Sequence, residues 1–243
     1  MPVVHHVDLA ARIGAVQWSV VVPVKRLALA KTRLVSAPDE PLNPALALAF
    51  ARDTVAAVVA TAAVDRVIVV TDDQQVSAAV AAWGAEVLPD VRRGGLNEAV
   101  RSGAAYAVGI AGPHPVAALP SDLPALTADW LQAALAAAAE HAWAFVPDAT
   151  GTGTTLLTAT SGDVRPRYGP ESAEEHARDG AARLDGDWPG LRQDVDTLED
   201  LLTAWALGLG PATTAVIAAM PLGSASRDLL LPISEDRMPY RSA

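Results

Sequence analysis

The sequence predicts an α/β protein built on a mostly parallel central sheet with helices on both faces. Short runs are apolar throughout, helical periodicity fills the stretches between them, and turn-forming residues stand where the runs end. A strand covered on one face only would alternate apolar and polar residues, and these runs do not. The valine-rich run Ser19 to Val24 is the first strand, and a helical pattern over about Pro44 to Ala63 follows it. Val67 to Thr71 is the second strand, a helix lies near Gln75 to Trp83, and Ala85 to Leu88 forms the third strand. The unit then repeats: a helix over about Asn97 to Val108, a strand Val116 to Leu119, a helix Thr127 to Glu140 and a strand Trp143 to Pro147. Strands separated by helices imply right-handed crossovers, and ligands in such sheets bind beyond the carboxyl ends of the strands.

Past residue 150 the pattern turns to Gly151-Thr-Gly-Thr154 and Arg165-Pro-Arg-Tyr-Gly-Pro170, expected to be a turn-rich insertion that completes a pocket. A helix over about Ser172 to Leu184 and another over Leu198 to Leu207 follow. The tail after Gly210, with Pro211, Pro221, Pro232 and Pro239, is expected to wrap the surface or to be partly disordered. We expect one domain over residues 17–217, between an extension at 1–16 and a tail at 218–243, and find no internal repeat.

The net charge of −10 argues against general nucleic-acid binding, which needs a broad basic face. No run of eighteen or more residues escapes polar interruption, so no membrane span is expected. Residues 1–17 carry His5, His6, Asp8 and Arg12 and lack the apolar core of a secretion signal. The chain has no cysteine, which fits a cytoplasmic location.

The chain has only two lysines, Lys25 and Lys31, and both fall directly after the first strand, beside Arg26 and Arg33. Lysine suits phosphate as a compact point charge, so Lys25, Arg26, Lys31 and Arg33 form a candidate polyphosphate grip, with Arg92 and Arg93 as additions. The plainer reading is solvated surface charge. Asp122, in Pro120-Ser-Asp-Leu-Pro124, stands where a carboxylate can hold Mg²⁺ against phosphates, or can cap the next helix. Asp194 and Asp196 share one face of an extended segment and form a second carboxylate cluster, though Asp196 or Thr197 would also serve as a helix cap. In Gly94-Gly-Leu-Asn97 the glycines permit close backbone approach, and Asn97 can read a base or ribose edge. Ser172 with Glu175 matches a capping box, whose free N–H groups would suit a small anion. No Gly-x-x-x-x-Gly-Lys-Ser/Thr loop occurs, and His114, His141 and His176 are assigned to surface or packing roles.

Taken in order, Pro-Val-Lys-x₅-Lys-Thr-Arg-Leu (23–34), Gly-Leu-Asn (95–97), Ser-Asp-Leu-Pro (121–124), Gly-Thr-Gly-Thr (151–154), Arg-Tyr-Gly-Pro-Glu-Ser (167–172) and Leu-Arg-Gln-Asp-Val-Asp-Thr (191–197) resemble the CofC/FbiD guanylyltransferases of coenzyme F420 biosynthesis over about residues 17–217. The resemblance implies a Rossmann-like nucleotidyltransferase fold that joins GMP from GTP to a small phosphorylated acid and releases pyrophosphate. It implies that Thr154, Gly169 and Ser172 hold the acid, that Asp122 binds metal, and that Asp196 with Asp194 is a second metal position. Gly95, Asn97 and Ser121 join Lys25 and Lys31 as nucleotide contacts, and Lys25, Lys31 and Arg33 offset charge as the acid's phosphate oxygen attacks the α-phosphorus in line. Mg²⁺ is the expected metal and GTP the nucleotide. Phosphoenolpyruvate is the favoured acceptor, with 2-phospho-L-lactate and 3-phosphoglycerate as alternatives. A sugar-nucleotide transferase and a nucleotide-binding regulator are the more distant readings. A homodimer and a transient downstream transferase are partners compatible with the resemblance.

Overall fold

The computed structural model describes residues 16–27, 44–90 and 94–220. Lys31, Arg33, Arg92 and Arg93 therefore lie outside the described residues, as do most of the N-terminal extension and residues 221–243. The elements run β1 (Trp18–Pro23), α1 (Pro44–Ala60), β2 (Val64–Thr71), α2 (Gln74–Val80), β3 (Glu86–Pro89), α3 (Leu96–Ala111), β4 (Val116–Ala118), α4 (Ala128–Ala138) and β5 (Trp143–Pro147). They continue as β6 (Thr154–Ala159), α5 (Ser172–Arg178), β7 (Ala182–Arg183), α6 (Pro189–Arg192), α7 (Leu198–Leu207) and α8 (Pro211–Ala219).

One seven-stranded sheet takes the order β3-β2-β1-β4-β6-β5-β7. Every neighbouring pair is parallel except those made by β6, which runs against both β4 and β5. The chain moves outward from β1 to β2 and β3, then returns to place β4 on the other side of β1. That reversal opens a crevice beyond the carboxyl ends of β1 and β4, the place where such sheets take ligands. Both faces of the sheet are covered, as the wholly apolar strands require. On one face Val20, Val22, Val69 and Leu156 pack with Val55 and Val58 of α1, Val76 of α2 and Leu131 and Leu135 of α4. On the other, Val21, Ile68, Val70 and Phe145 pack with Val100 and Ala104 of α3 and Ala173 of α5.

The structure corrects the reading of the chain past residue 150 in three places. The turn-rich insertion contains β6, which lies inside the sheet between β4 and β5; its threonines and the glycines before it hid the strand. The helix expected over Ser172 to Leu184 stops at Arg178, because Gly180 takes φ 98° and the chain enters β7. The tail does not simply wrap the surface: Pro211–Ala219 is a helix, with proline at its start where the missing N–H costs nothing. Asp53 of α1, buried at 6 % exposure, accepts hydrogen bonds from Ala212 N–H (3.0 Å) and Thr213 N–H (2.7 Å) at the head of α8. A carboxylate there suits the positive end of the helix. Leu46 and Phe50 of α1, Leu201 of α7 and Ile217 of α8 close a third apolar cluster behind it.

Candidate active site

Lys25 and Asp122 stand just past the ends of β1 and β4, on the two sides of the crevice. The segment after β1 is tied to the segment after β2. Arg26 Nε donates to Asp72 (2.8 Å), and Leu27 N–H donates to Asp73 (3.0 Å), whose other oxygen caps α2 through Gln75 N–H and Val76 N–H. Arg26 is thereby ion-paired, while Lys25 is exposed and its ammonium lowers the pKa of Asp122.

Asp122 is held by its own backbone surroundings. Thr54 of α1 reaches up to the turn: its hydroxyl donates to Ser121 O (3.2 Å) and accepts from Leu123 N–H (3.1 Å). Val195 N–H donates to Asp122 O (3.1 Å), which draws the Asp194–Asp196 segment against the same turn. Asp122 Oδ1 is shut off from solvent and has no hydrogen-bond partner. An ionised oxygen in that state is costly unless something positive meets it.

The carboxylates act on one another. Burial, then Asp196, pushes Asp122 up to about 6, against the lowering effect of backbone hydrogen bonding and Lys25. Burial, then Asp122, Asp196 and Asp148, pushes Asp194 up to about 8. Asp196 lies exposed at the rim. The structure thus brings Asp122, Asp194 and Asp196 together and adds Asp148, which the sequence reading did not single out. Among the described residues, no set of three or more His, Asp or Glu side chains forms a metal cage by itself. All-oxygen donors with one orphaned buried oxygen instead suit a cation such as Mg²⁺, which takes one or two protein carboxylates and completes its shell with phosphate and water.

Asp148 begins the loop that leads into β6. Its Oδ1 accepts from Thr152 N–H (3.0 Å) and from the Thr150 hydroxyl (2.9 Å), and a side chain at Gly153 would collide with it. Arg192 donates to the backbone carbonyl of Asp148 (3.1 Å), which ties the end of α6 to the start of this loop. At the far end of the loop, Thr154 Oγ1 lies 2.9 Å from Nδ1 of the fully buried His176. Thr152 O accepts from Ala173 N–H (2.9 Å), and Ser172 N–H donates to Gly169 O (3.2 Å). Thr154, Gly169 and Ser172 therefore form one neighbourhood.

The capping box expected of Ser172 and Glu175 is not formed. Glu171 is the cap, at φ 56°, without a side-chain hydrogen bond, and Glu175 pairs with Arg178. A capping box forms instead at Thr197 with Asp200, so Thr197 rather than Asp196 caps α7 by its side chain. Asn97 donates to Tyr168 O (3.0 Å) and accepts from Tyr168 N–H (2.7 Å). That reciprocal pair leaves one amide hydrogen and one lone pair for any nucleotide contact. Gly95 enters α3 at φ 79°, and Gly169 takes φ 151° with open space around it, so both carry backbone shapes that glycine alone adopts readily. The Tyr168 hydroxyl donates to Ala118 O (3.0 Å), fastening this turn to the end of β4.

Residues 50–186 match the model of the MobA-like NTP transferase domain. A relative from Geodermatophilus obscurus, named phosphoenolpyruvate guanylyltransferase, is 52% identical over 213 residues, covering 85% of this chain and 97% of its own length. One of the same name from Streptomyces coelicolor is 50% identical over 206 residues, covering 84% of this chain and 97% of itself. The chain belongs to the phosphoenolpyruvate guanylyltransferase family, and its fold is that of the nucleotidyltransferases. A Desulfovibrio desulfuricans G20 protein assigned to the nucleotide-diphospho-sugar transferases shares the fold at a TM-score of 0.63 and 18% identity, over 84% of this chain and 95% of that one. A 4-diphosphocytidyl-2C-methyl-D-erythritol synthase does so at 0.54 and 16%, over 79% and 98%. Likeness at that identity concerns the fold alone. No helix among the described residues is long and apolar enough to cross a membrane.

Proposed function

We propose that the chain transfers GMP from GTP to phosphoenolpyruvate, giving enolpyruvoyl-2-diphospho-5'-guanosine and pyrophosphate, as a step of coenzyme F420 biosynthesis in the cytoplasm. The observation that carries this reading is the identity of about half over nearly the full length of relatives that bear that activity in their name. Two anions must meet for this reaction, so the protein's tasks are alignment and charge compensation.

The acid's phosphate oxygen forms the new bond to the α-phosphorus as the bond to the β-phosphate oxygen breaks, and pyrophosphate leaves with that electron pair. No protein nucleophile is required. Lys25, with Lys31 and Arg33, offsets charge on the triphosphate, while Thr154, Ser172 and the backbone at Gly169 hold the acid. Gly95, Asn97 and Ser121 line the nucleotide side. Asp122, with Asp194 and Asp196, would hold a divalent cation, which when bound supplies positive charge to the phosphates and fills the need of the orphaned Asp122 oxygen. A downstream transferase that accepts the product is the expected transient partner.

The test is Mg²⁺-dependent pyrophosphate release from GTP with phosphoenolpyruvate, 2-phospho-L-lactate and 3-phosphoglycerate supplied separately, and with ATP and CTP as nucleotide controls. Release with GTP and phosphoenolpyruvate alone is the expected result. Release with another of the acids only would reassign the acceptor, and none with any acid would overturn the reading.

A further inference from the structure

His176 sits on α5 one turn after Ser172, and both are buried on the same side of that helix. Its ring is enclosed by aromatic neighbours: Phe145 at 5.8 Å, Tyr168 at 5.7 Å and Trp143 at 6.4 Å between centroids. Both ring nitrogens are used. Nε2 lies 2.9 Å from the backbone N of Arg167, and Nδ1 lies 2.9 Å from Thr154 Oγ1.

A backbone N–H can only donate, so Nε2 is the acceptor and carries no hydrogen. The neutral ring then bears its hydrogen on Nδ1 and donates it to Thr154 Oγ1. With that lone pair filled, the hydroxyl hydrogen of Thr154 is left to point away from the imidazole. The register of β6 supports this arrangement. Pairing shifts between Val146–Leu156 and Pro147–Thr154, passing over Thr155 and turning Thr154 to the side of the sheet on which Phe145 and His176 lie.

We propose that His176 is a positioning residue: through its fixed tautomer it presents the Thr154 hydroxyl as a hydrogen-bond donor to the phosphorylated acid. The inference rests on the reading, given above, that Thr154 contacts that acid. Burial holds His176 at about 4, with Asp179 and Glu175 raising it and Arg167 lowering it, so the ring stays neutral in the range where a donor to an anion is needed.

Three single variants, one double variant and one measurement on the unmodified protein test it. Thr154→Val is expected to raise KM for the acid about tenfold or more while leaving KM for GTP within about twofold, as loss of a hydrogen bond to a charged group would. His176→Gln, whose amide oxygen can still accept from Arg167 N–H but which loses the Nδ1 donor, is expected to do the same. His176→Asn, which places an amide N–H near the Nδ1 position, is expected to recover most of the loss. Combining Thr154→Val with His176→Gln should add nothing further. Imidazole ¹⁵N shifts of the unmodified enzyme should report the Nδ1–H tautomer, and the Nε2–H tautomer would overturn the inference even where a variant does not fold.

If Thr154→Val leaves KM for the acid unchanged, Thr154 does not contact the acid and the inference falls with that reading. If Thr154→Val acts but folded His176→Gln changes neither KM, or the Nε2–H tautomer is found, the role of His176 is packing alone and only this inference is overturned.

Discussion

The two ends of the loop between β5 and β6 meet opposite fates in the same crevice. Asp148, at its start, faces acids among which burial, then mutual repulsion, raises the pKa of Asp194 and Asp122. Thr154, at its end, faces an imidazole that burial lowers to about 4. Desolvation favours the neutral form in both places, which for a carboxyl means holding a proton and for an imidazole means losing one. The difference lies in what completes each end. His176 has both its partners within the chain, whereas Asp122 keeps an oxygen with none. The acidic end keeps an unpartnered oxygen; the neutral end is already assembled.

The largest effect should follow from breaking the acidic end. Asp122→Ala should lower kcat/KM by about two to three orders of magnitude. The fold should survive, because Thr54 and Val195 hold that turn through its backbone. Retained turnover with bound metal would remove Asp122 from the site.

Thr54→Val keeps the shape but deletes both hydroxyl bonds of that anchor. It should destabilise the protein by about 1–3 kcal/mol in urea unfolding and lower kcat/KM about tenfold through the displaced Asp122. Unaltered kcat/KM would show that the carboxylate is positioned by other means.

The opposite shifts predict opposite pH slopes. Unfolded aspartates lose their protons near pH 4, while Asp122 and Asp194 keep theirs toward pH 6 and 8, so without metal their contribution to stability falls as pH rises across that window. Divalent metal should flatten this slope, most visibly near pH 8, and Asp194→Asn should flatten it without metal. His176 acts with the other sign: its contribution is present above about pH 6.5 and is lost as pH falls toward 4. Denaturant unfolding at stepped pH, in the parent and in His176→Asn, separates the two.

The smallest effect on catalysis should come from a site outside both ends. Asp53→Asn should cost about 1–2 kcal/mol by weakening the hold on α8, speed hydrogen exchange in Pro211–Ala219, and leave KM for both substrates alone.

The sequence made the acidic end easier to read than the neutral one. Asp122 stands in the turn after a wholly apolar strand, where the sequence offers a metal ligand or a helix cap, and Asp194 and Asp196 stand in one short motif. Asp148 carried no pattern of its own, because it joins the cluster only through the hairpin between β5 and β6; Arg192 stood inside the motif at 191–197 without a role assigned to it. The sequence assigns His176 only a surface or packing role, since its partners are a hydroxyl 22 residues away and a backbone N–H that no sequence pattern reveals. The parallel half of the sheet was legible from its valine runs. β6 was not, because threonine and glycine read as turn when the strand's two neighbours are unknown, and α8 was missed because Pro211 signals the start of a helix as well as the end of one.

Asp53 and Thr213 are 160 positions apart, yet each completes the other. On a ribosome adding about 5–20 residues per second, roughly ten to thirty seconds separate the emergence of that carboxylate from the arrival of its partner. During that interval Leu46 and Phe50 lack the helix that covers them, so among the described residues this flank closes last, and a chain cut short near residue 210 would there adhere to its neighbours or be taken by a protease.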